Sequence, residues 1–386
     1  MKSSNSLDIN SFKSVASMIY MSVVGVCVFI IQPGVVQGFV SELGFTPEQA
    51  GYAASAELWG LAITTVALTF LADKFDWHKI ALIALLTALI GNIASTFTAD
   101  SQTFILIRTL TGLGLGAMIS LPFAMLGMTK KMDFNFGMAL VFILLYGALG
   151  LFLIPWALGT IGLDGVFIFI AIFCGIGLLL IPNLPRGAHQ ASNFDDSNPS
   201  ELGLQKVLAL VGVLSFNLGI GAVWAYLFLV GLEANITEQG VANVLTISQL
   251  LGMLGAFVVV FLSSRVKRGL PFATSILLCA IGVGFLLFGV DFLKFSIAVY
   301  LFNFAWNMVV PYIMATLSSF ADNSKTVIRG SCMQMLGVAT GPYIAAKIVG
   351  SNATPAYDTV NLFAVIMFVA ALILLLPAII ALKDRD

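Results

Sequence analysis

Two residues of opposite charge, Glu57 and Arg108, stand deep in stretches of sequence that otherwise hold almost nothing able to bind a proton or an ion. Glu57 falls about eight residues, roughly 12 Å at helical rise, from Gln49 at the start of one apolar run, and Arg108 about six residues, roughly 9 Å, from Gln102 at the start of another. A carboxylate in hydrocarbon favours its neutral form, and a nearby guanidinium favours the ionised one. A carboxyl group that alternates between those surroundings can load and release a proton. Charges at such depth need a counter-ion or a wet cavity, which makes both residues functional candidates. The rival reading, a permanent pair that only holds helices together, stays open.

Other chemistry is sparse. Both histidines, His78 and His189, lie outside the apolar runs. No H-E-x-x-H or G-x-S-x-G occurs, and no two carboxylates share a helix, so an enzyme is not expected. Cys27, Cys174, Cys279 and Cys332 sit in apolar runs without metal-ligand spacing and read as small hydrophobes. No metal and no cofactor is expected. A formal net charge of -1 without a basic tract argues against a nucleic-acid partner.

The elements that position the two charges follow from composition. Hydrophobic residues make up 59% of the 386 positions and charged residues 10%, and the mean hydropathy is +1.02, so lipid rather than water is the main solvent. Apolar runs long enough to span the hydrocarbon fall at 14–40, 49–71, 80–98, 103–128, 134–158 and 165–182. They recur at 204–231, 240–262, 270–290, 295–320, 327–349 and 360–382. The reading is an all-α membrane protein of twelve transmembrane helices: a six-helix bundle over 1–184, a polar linker rich in Pro, Gly, Ser and Asn over 185–203, and a second six-helix bundle over 204–386. Every lysine and arginine except Lys294, Arg108 and Lys347 then falls on one side, which places both termini in the cytoplasm and the chain in the cell inner membrane as a multi-pass protein.

The halves also repeat in sequence. T-P-E-Q-A-G at Thr46 to Gly51 recurs as T-E-Q-G at Thr237 to Gly240, and A-E-L-W-G-L at Ala56 to Leu61 matches S-Q-L-L-G-M at Ser248 to Met253. Glu57 corresponds to Gln249, a near-isostere that cannot titrate. Six spans per half make this a parallel repeat, pseudo-symmetric about an axis along the membrane normal, and transporters place substrate at such interfaces.

Two motifs carry a resemblance. L-A-D-K-F-D-W-H-K at Leu71 to Lys79 resembles the G-x-L-A-D-R-x-G-R-R/K loop of the major facilitator superfamily, matched at Leu71, Ala72, Asp73 and Lys74. It departs from that loop at Thr69, Asp76 and Trp77. R-T-L-T-G-L-G-L-G from Arg108 is similar, without a gap, to the family's R-x-x-x-G-x-G-x-G. Gly112 and Gly116 there form a small-xxx-small face that admits a neighbouring backbone. Gly147, Gly150, Pro155 and Gly159 only loosely match the family's antiporter signature, which disfavours drug–proton antiport.

The resemblance implies rocking of two bundles around a central site faced by the first, fourth, seventh and tenth helices. Substrate contacts are then expected from Gln32, Gln37, Arg108, Asn217, Trp224, Tyr226, Asn303, Trp306, Asn307 and Tyr312, gating from Asp73, Lys74, Gly112 and Gly116, and proton coupling from Glu57 and Arg108. The function expected is secondary active, proton-coupled uptake of a small organic solute, anions included, by alternating access in a monomer surrounded by membrane lipid. Proton-driven efflux of hydrophobic compounds is the alternative, and a non-transporting membrane receptor a remote one.

Overall fold

A computed structural model describes residues 8–186, 203–262, 265–266, 268–320, 323–350 and 355–383, without the side chains of Asp73, 323–325 and 381–383. The linker expected over 185–203 lies outside the described residues from 187 to 202. Among the described residues there is no strand, and the elements are α1 (Phe12–Ile30), α2 (Gln32–Ser41), α3 (Pro47–Leu71), α4 (Trp77–Ser95), α5 (Ser101–Leu126), α6 (Met132–Leu180), α7 (Leu204–Glu233), α8 (Glu238–Leu262), α9 (Gly269–Gly284), α10 (Phe292–Ser318), α11 (Asn323–Val349) and α12 (Tyr357–Lys383). Nine described helices are long and apolar enough to cross a membrane by length and composition, and α9 is a shorter apolar helix.

Helix starts follow local sequence. Asp76, Asp100 and Asp291 cap α4, α5 and α10 by accepting from the backbone N–H three residues on, at 3.1, 2.9 and 2.8 Å. Those backbone donors, from Lys79 and Thr103, hold the carboxyls of Asp76 and Asp100 below the usual carboxylate range. Thr46 and Gln49 form a reciprocal capping box at α3, and Thr237 accepts from Gly240 N–H at the matching start of α8.

The structure divides one of the expected spans differently. The run at 14–40 breaks at Ile31, because Pro33 has no N–H to continue the ladder and Ile31 O accepts instead from Gly34 N (3.0 Å) and Val35 N (3.2 Å). The runs at 134–158 and 165–182 form the two helices expected, labelled together as α6, which meet at a kink at Gly162, where φ is 68°.

The described residues pack as two compact units. The first draws on Met1–Ile30, Ala56–Tyr146 and Thr160–Asn193, the second on Ile31–Ser55, Gly147–Gly159 and Phe194–Asp386. In the first unit glycines bring backbones together. A Cβ on Gly112 or Gly116 would meet Glu57 O at 2.0 Å or Leu61 O at 2.3 Å on α3, whereas one on Gly114 would meet Ala84 O at 2.4 Å on α4. Alternate glycines of the G-x-G-x-G run therefore serve two neighbours. In the second unit α2 and the first turns of α3 pack with α7, α8 and α11.

Candidate functional site

The first unit holds a buried ion pair. Arg108 is fully enclosed and Glu57 is 3% exposed. The guanidinium meets the carboxylate edge-on: Nη2 donates to Glu57 Oε1, and Nε donates to Glu57 Oε2 at 3.3 Å. Such two-point pairing fixes geometry as well as charge. Nη1 donates to Asn92 Oδ1 at 3.0 Å and to Ser95 Oγ at 3.2 Å, both on α4, and the Phe167 ring of α6 covers the guanidinium carbon at 4.8 Å. Asn92 and Ser95 are themselves anchored, donating to Ala88 O and Gly91 O at 2.8 Å. A buried charge is tolerated only when paired and hydrogen-bonded, and four protein contacts from α3 and α4 meet that condition here.

Sequence reasoning found Glu57 and Arg108 and missed Asn92, Ser95 and Phe167. The available signal was Asn92 and Ser95 spaced i, i+3 on one face of the apolar latter part of α4.

In the second unit the matching place is neutral. Asn303 Nδ2 of α10 donates to Ser248 Oγ of α8 at 3.0 Å, and Asn307 Nδ2 donates to Asn303 Oδ1 at 2.9 Å. A Cβ on Gly252 would meet these amides, so both Asn303 and Asn307 turn toward α8. Trp306 lies one step round the helix, in an edge-on pair with the buried Trp224 at 5.7 Å and 63°. Tyr312 stacks on Phe272 of α9 at 5.9 Å.

The other expected contacts spread along the second unit. Gln32 and Gln37 are buried in α2, with Gln37 Nε2 at 3.4 Å from Glu238 Oε1, and Asn217 Nδ2 donates to Val213 O at 2.8 Å. Gln32 Oε1, Gln37 Oε1, Asn217 Oδ1 and Tyr312 Oη are buried with no hydrogen-bond partner among the described residues. Tyr226 Oη donates to Pro47 O at 2.9 Å and lies where a Cβ on Gly51 would come within 1.9 Å of it. Beside it Ser55 Oγ donates to Ala339 O at 2.6 Å, and Tyr52 and Tyr343, 5.4 Å apart, flank Lys347 Nζ.

Asp73 and Lys74 occupy a 3-10 turn after α3, with Lys74 exposed and the Asp73 side chain outside the described residues. Trp77 and His78 tie the following turn to the end of α6: Trp77 N donates to Arg186 O at 3.0 Å, and His78 Nε2 lies 2.6 Å from Leu184 O. Among the described residues no cluster of His, Cys, Asp or Glu has the arrangement of a metal site.

A family model described as Major Facilitator Superfamily matches residues 17–328. No curated protein sequence matches the chain. Among solved structures, a variant of the nucleoside transporter NupG superposes with a TM-score of 0.74 at 12% identity, over 94% of this chain and 99% of that one. A D-xylose-proton symporter superposes with a TM-score of 0.73 at 16% identity, over 93% of this chain and 97% of that one. At these identities the likeness is one of fold.

Proposed function

The chain belongs to the Major Facilitator Superfamily, a family of membrane transporters rather than enzymes, and from that premise we propose that it is a proton-coupled importer of a small, neutral, hydroxylated solute. The observation that carries this reading is the pairing of Glu57 with Arg108 inside α3, α4, α5 and α6. Arg108 spends its charge on Glu57 and on neutral acceptors, so an anionic substrate gains little from it. The buried oxygens of Gln32, Gln37, Asn217 and Tyr312 have no hydrogen-bond partner among the described residues and suit a solute that brings hydroxyl or amine hydrogens. The structural likeness to a D-xylose-proton symporter and to a nucleoside transporter is compatible with such cargo, but fold alone does not assign it.

In this reading twelve spans cross the inner membrane with both termini in the cytoplasm, and the halves 1–184 and 204–386 rock about a central site. Glu57 carries the proton. Protonated, it frees itself from Arg108; ionised, it pairs again. In the same reading the contacts of Tyr226 with Pro47, Ser55 with Ala339 and the Tyr52, Tyr343 and Lys347 group would be ones that break when the outer side opens. Asp73 and Lys74 act at the inner gate, and Gly112 and Gly116 keep α5 pressed on α3 throughout.

Proteoliposomes given an inward pH gradient and labelled D-xylose or a nucleoside test the proposal. Glu57→Gln abolishes accumulation against a gradient while exchange between equal compartments survives. Normal accumulation by that variant, with unchanged pH dependence, sinks Glu57 as the proton site.

A further inference from the structure

Resting on Glu57 as the proton-carrying group, we propose that Asn92 and Ser95 are positioning residues that hold Arg108 in place while Glu57 changes charge, and so set the pH at which Glu57 takes up its proton.

Arg108 cannot shed its own proton, so whenever Glu57 is neutral the guanidinium loses its counter-ion, keeps at most a weaker carbonyl acceptor there and depends on its other partners. A buried guanidinium left to itself is strongly unfavourable. The Nη1 edge answers this: Asn92 Oδ1 at 3.0 Å and Ser95 Oγ at 3.2 Å accept from it whatever the state of Glu57, and Phe167 closes the face. The orientation of Asn92 is fixed by its bond from Nδ2 to Ala88 O, which leaves only the oxygen to face Arg108. Ser95 spends its single hydrogen on Gly91 O and likewise presents lone pairs. The cradle is rigid, because Gly91 lies against Thr111 of α5 and Gly114 lies against Ala84 and Ala88 of α4 with no room for a Cβ. On the other side Gly112 locks α5 to the Glu57 carbonyl. With three backbones fixed, the movable part is the Glu57 carboxyl group.

The cradle also tunes proton affinity. The more fully neutral acceptors satisfy Arg108, the less the guanidinium depends on an ionised Glu57. Among the described residues the groups facing the pair are Arg108 itself from α5, the thiol of Cys27 from α1 and the thiol of Cys174 from α6, both within electrostatic reach, and from α4 the neutral Asn92 and Ser95. Changes on α4 are therefore read almost entirely at Glu57.

The experiment is an infrared pH titration of the protonated-carboxyl band in purified full-length protein, with Glu57→Gln made in each background to assign the band. Asn92→Asp places a second carboxylate on Arg108 and moves the Glu57 midpoint up by about one pH unit or more, a tenfold gain in proton affinity. Asn92→Ala makes Arg108 lean on Glu57 and moves the midpoint down, and Ser95→Ala does so by less. Thermal melting checks that each variant is folded, and the near-isosteric Asn92→Asp keeps the test decisive if Asn92→Ala is not. An assigned Glu57 band whose midpoint is the same in wild type, Asn92→Asp and Asn92→Ala overturns the cradle and leaves Glu57 as the proton site. A spectrum in which Glu57→Gln removes no band at any pH overturns both.

Discussion

The crossing of α3 with α5 and the crossing of α8 with α10 occupy equivalent places in the internal repeat, yet one is built around an ion pair and the other around amides. In the first, Gly60 sits on the α5 backbone, where a Cβ would lie 2.1 Å from Thr109 O, and Glu57 one turn away meets Arg108. In the second, the aligned Gly252 faces the ends of Asn303 and Asn307, and the backbone approach is taken over by Gly255 against Phe304 O at 2.2 Å. Shifting the backbone contact by three residues makes room for amide side chains where the first half has none. One scaffold thus supplies a buried ion pair and a copy built of neutral amides, and if Glu57 carries the proton as proposed, coupling is confined to one half.

The largest effect is expected from breaking the charged member. Glu57→Leu leaves Arg108 buried with Asn92 and Ser95 but no anion, and removing one partner of a buried pair costs about 3–5 kcal/mol. Melting of the purified protein should show a marked loss of stability, and Gln249→Leu in the second half a much smaller one. Equal losses in the two variants would mean that the ion pair adds nothing to packing beyond what an amide provides.

The glycines give the next contrast. In Gly60→Ala the new methyl meets a backbone oxygen that cannot move aside, at an expected cost of about 1–3 kcal/mol. In Gly252→Ala it meets the Asn307 and Asn303 amides, 2.6 and 2.9 Å away, which can rotate, so the loss is smaller. A Gly252→Ala protein melting at or below the temperature of Gly60→Ala would show that the amide pair is as unyielding as backbone.

Much of this was legible in the sequence, for unequal reasons. Glu57 and Arg108 stand out because charge is rare in apolar runs, and the matched capping threonines Thr46 and Thr237 mark the repeat. Asn92 and Ser95 do not stand out, since single amides and hydroxyls are common in spans. Their meeting with Arg108 depends on the α4 and α5 register that Gly91 and Gly114 fix. The break at Ile31 is signalled by Pro33, but a proline either bends a helix or ends it, and only the hydrogen bonds of Gly34 and Val35 decide which. Asn303 and Asn307, four residues apart, share one face of α10, and only the place of α8 shows that this face meets Ser248 and Gly252.

The smallest effect is expected from trying to make the second half like the first. Gln249→Glu puts a carboxyl group where Glu57 stands in the repeat, 2% exposed in the parent protein, on a helix whose adjacent Ser248 meets the Asn303 and Asn307 amides rather than a guanidinium. A buried carboxyl group without a cation to alternate with has one favourable state, the protonated one. It therefore neither loads nor releases a proton over the transport cycle. For a solute that the wild type accumulates, the variant should show the same uptake and the same pH dependence, and the exchange of roles in Glu57→Gln with Gln249→Glu should fail to restore accumulation. Restored accumulation in that double variant would mean that a carboxyl group at either crossing suffices, and that the guanidinium of Arg108 is not what makes the first half the coupling half.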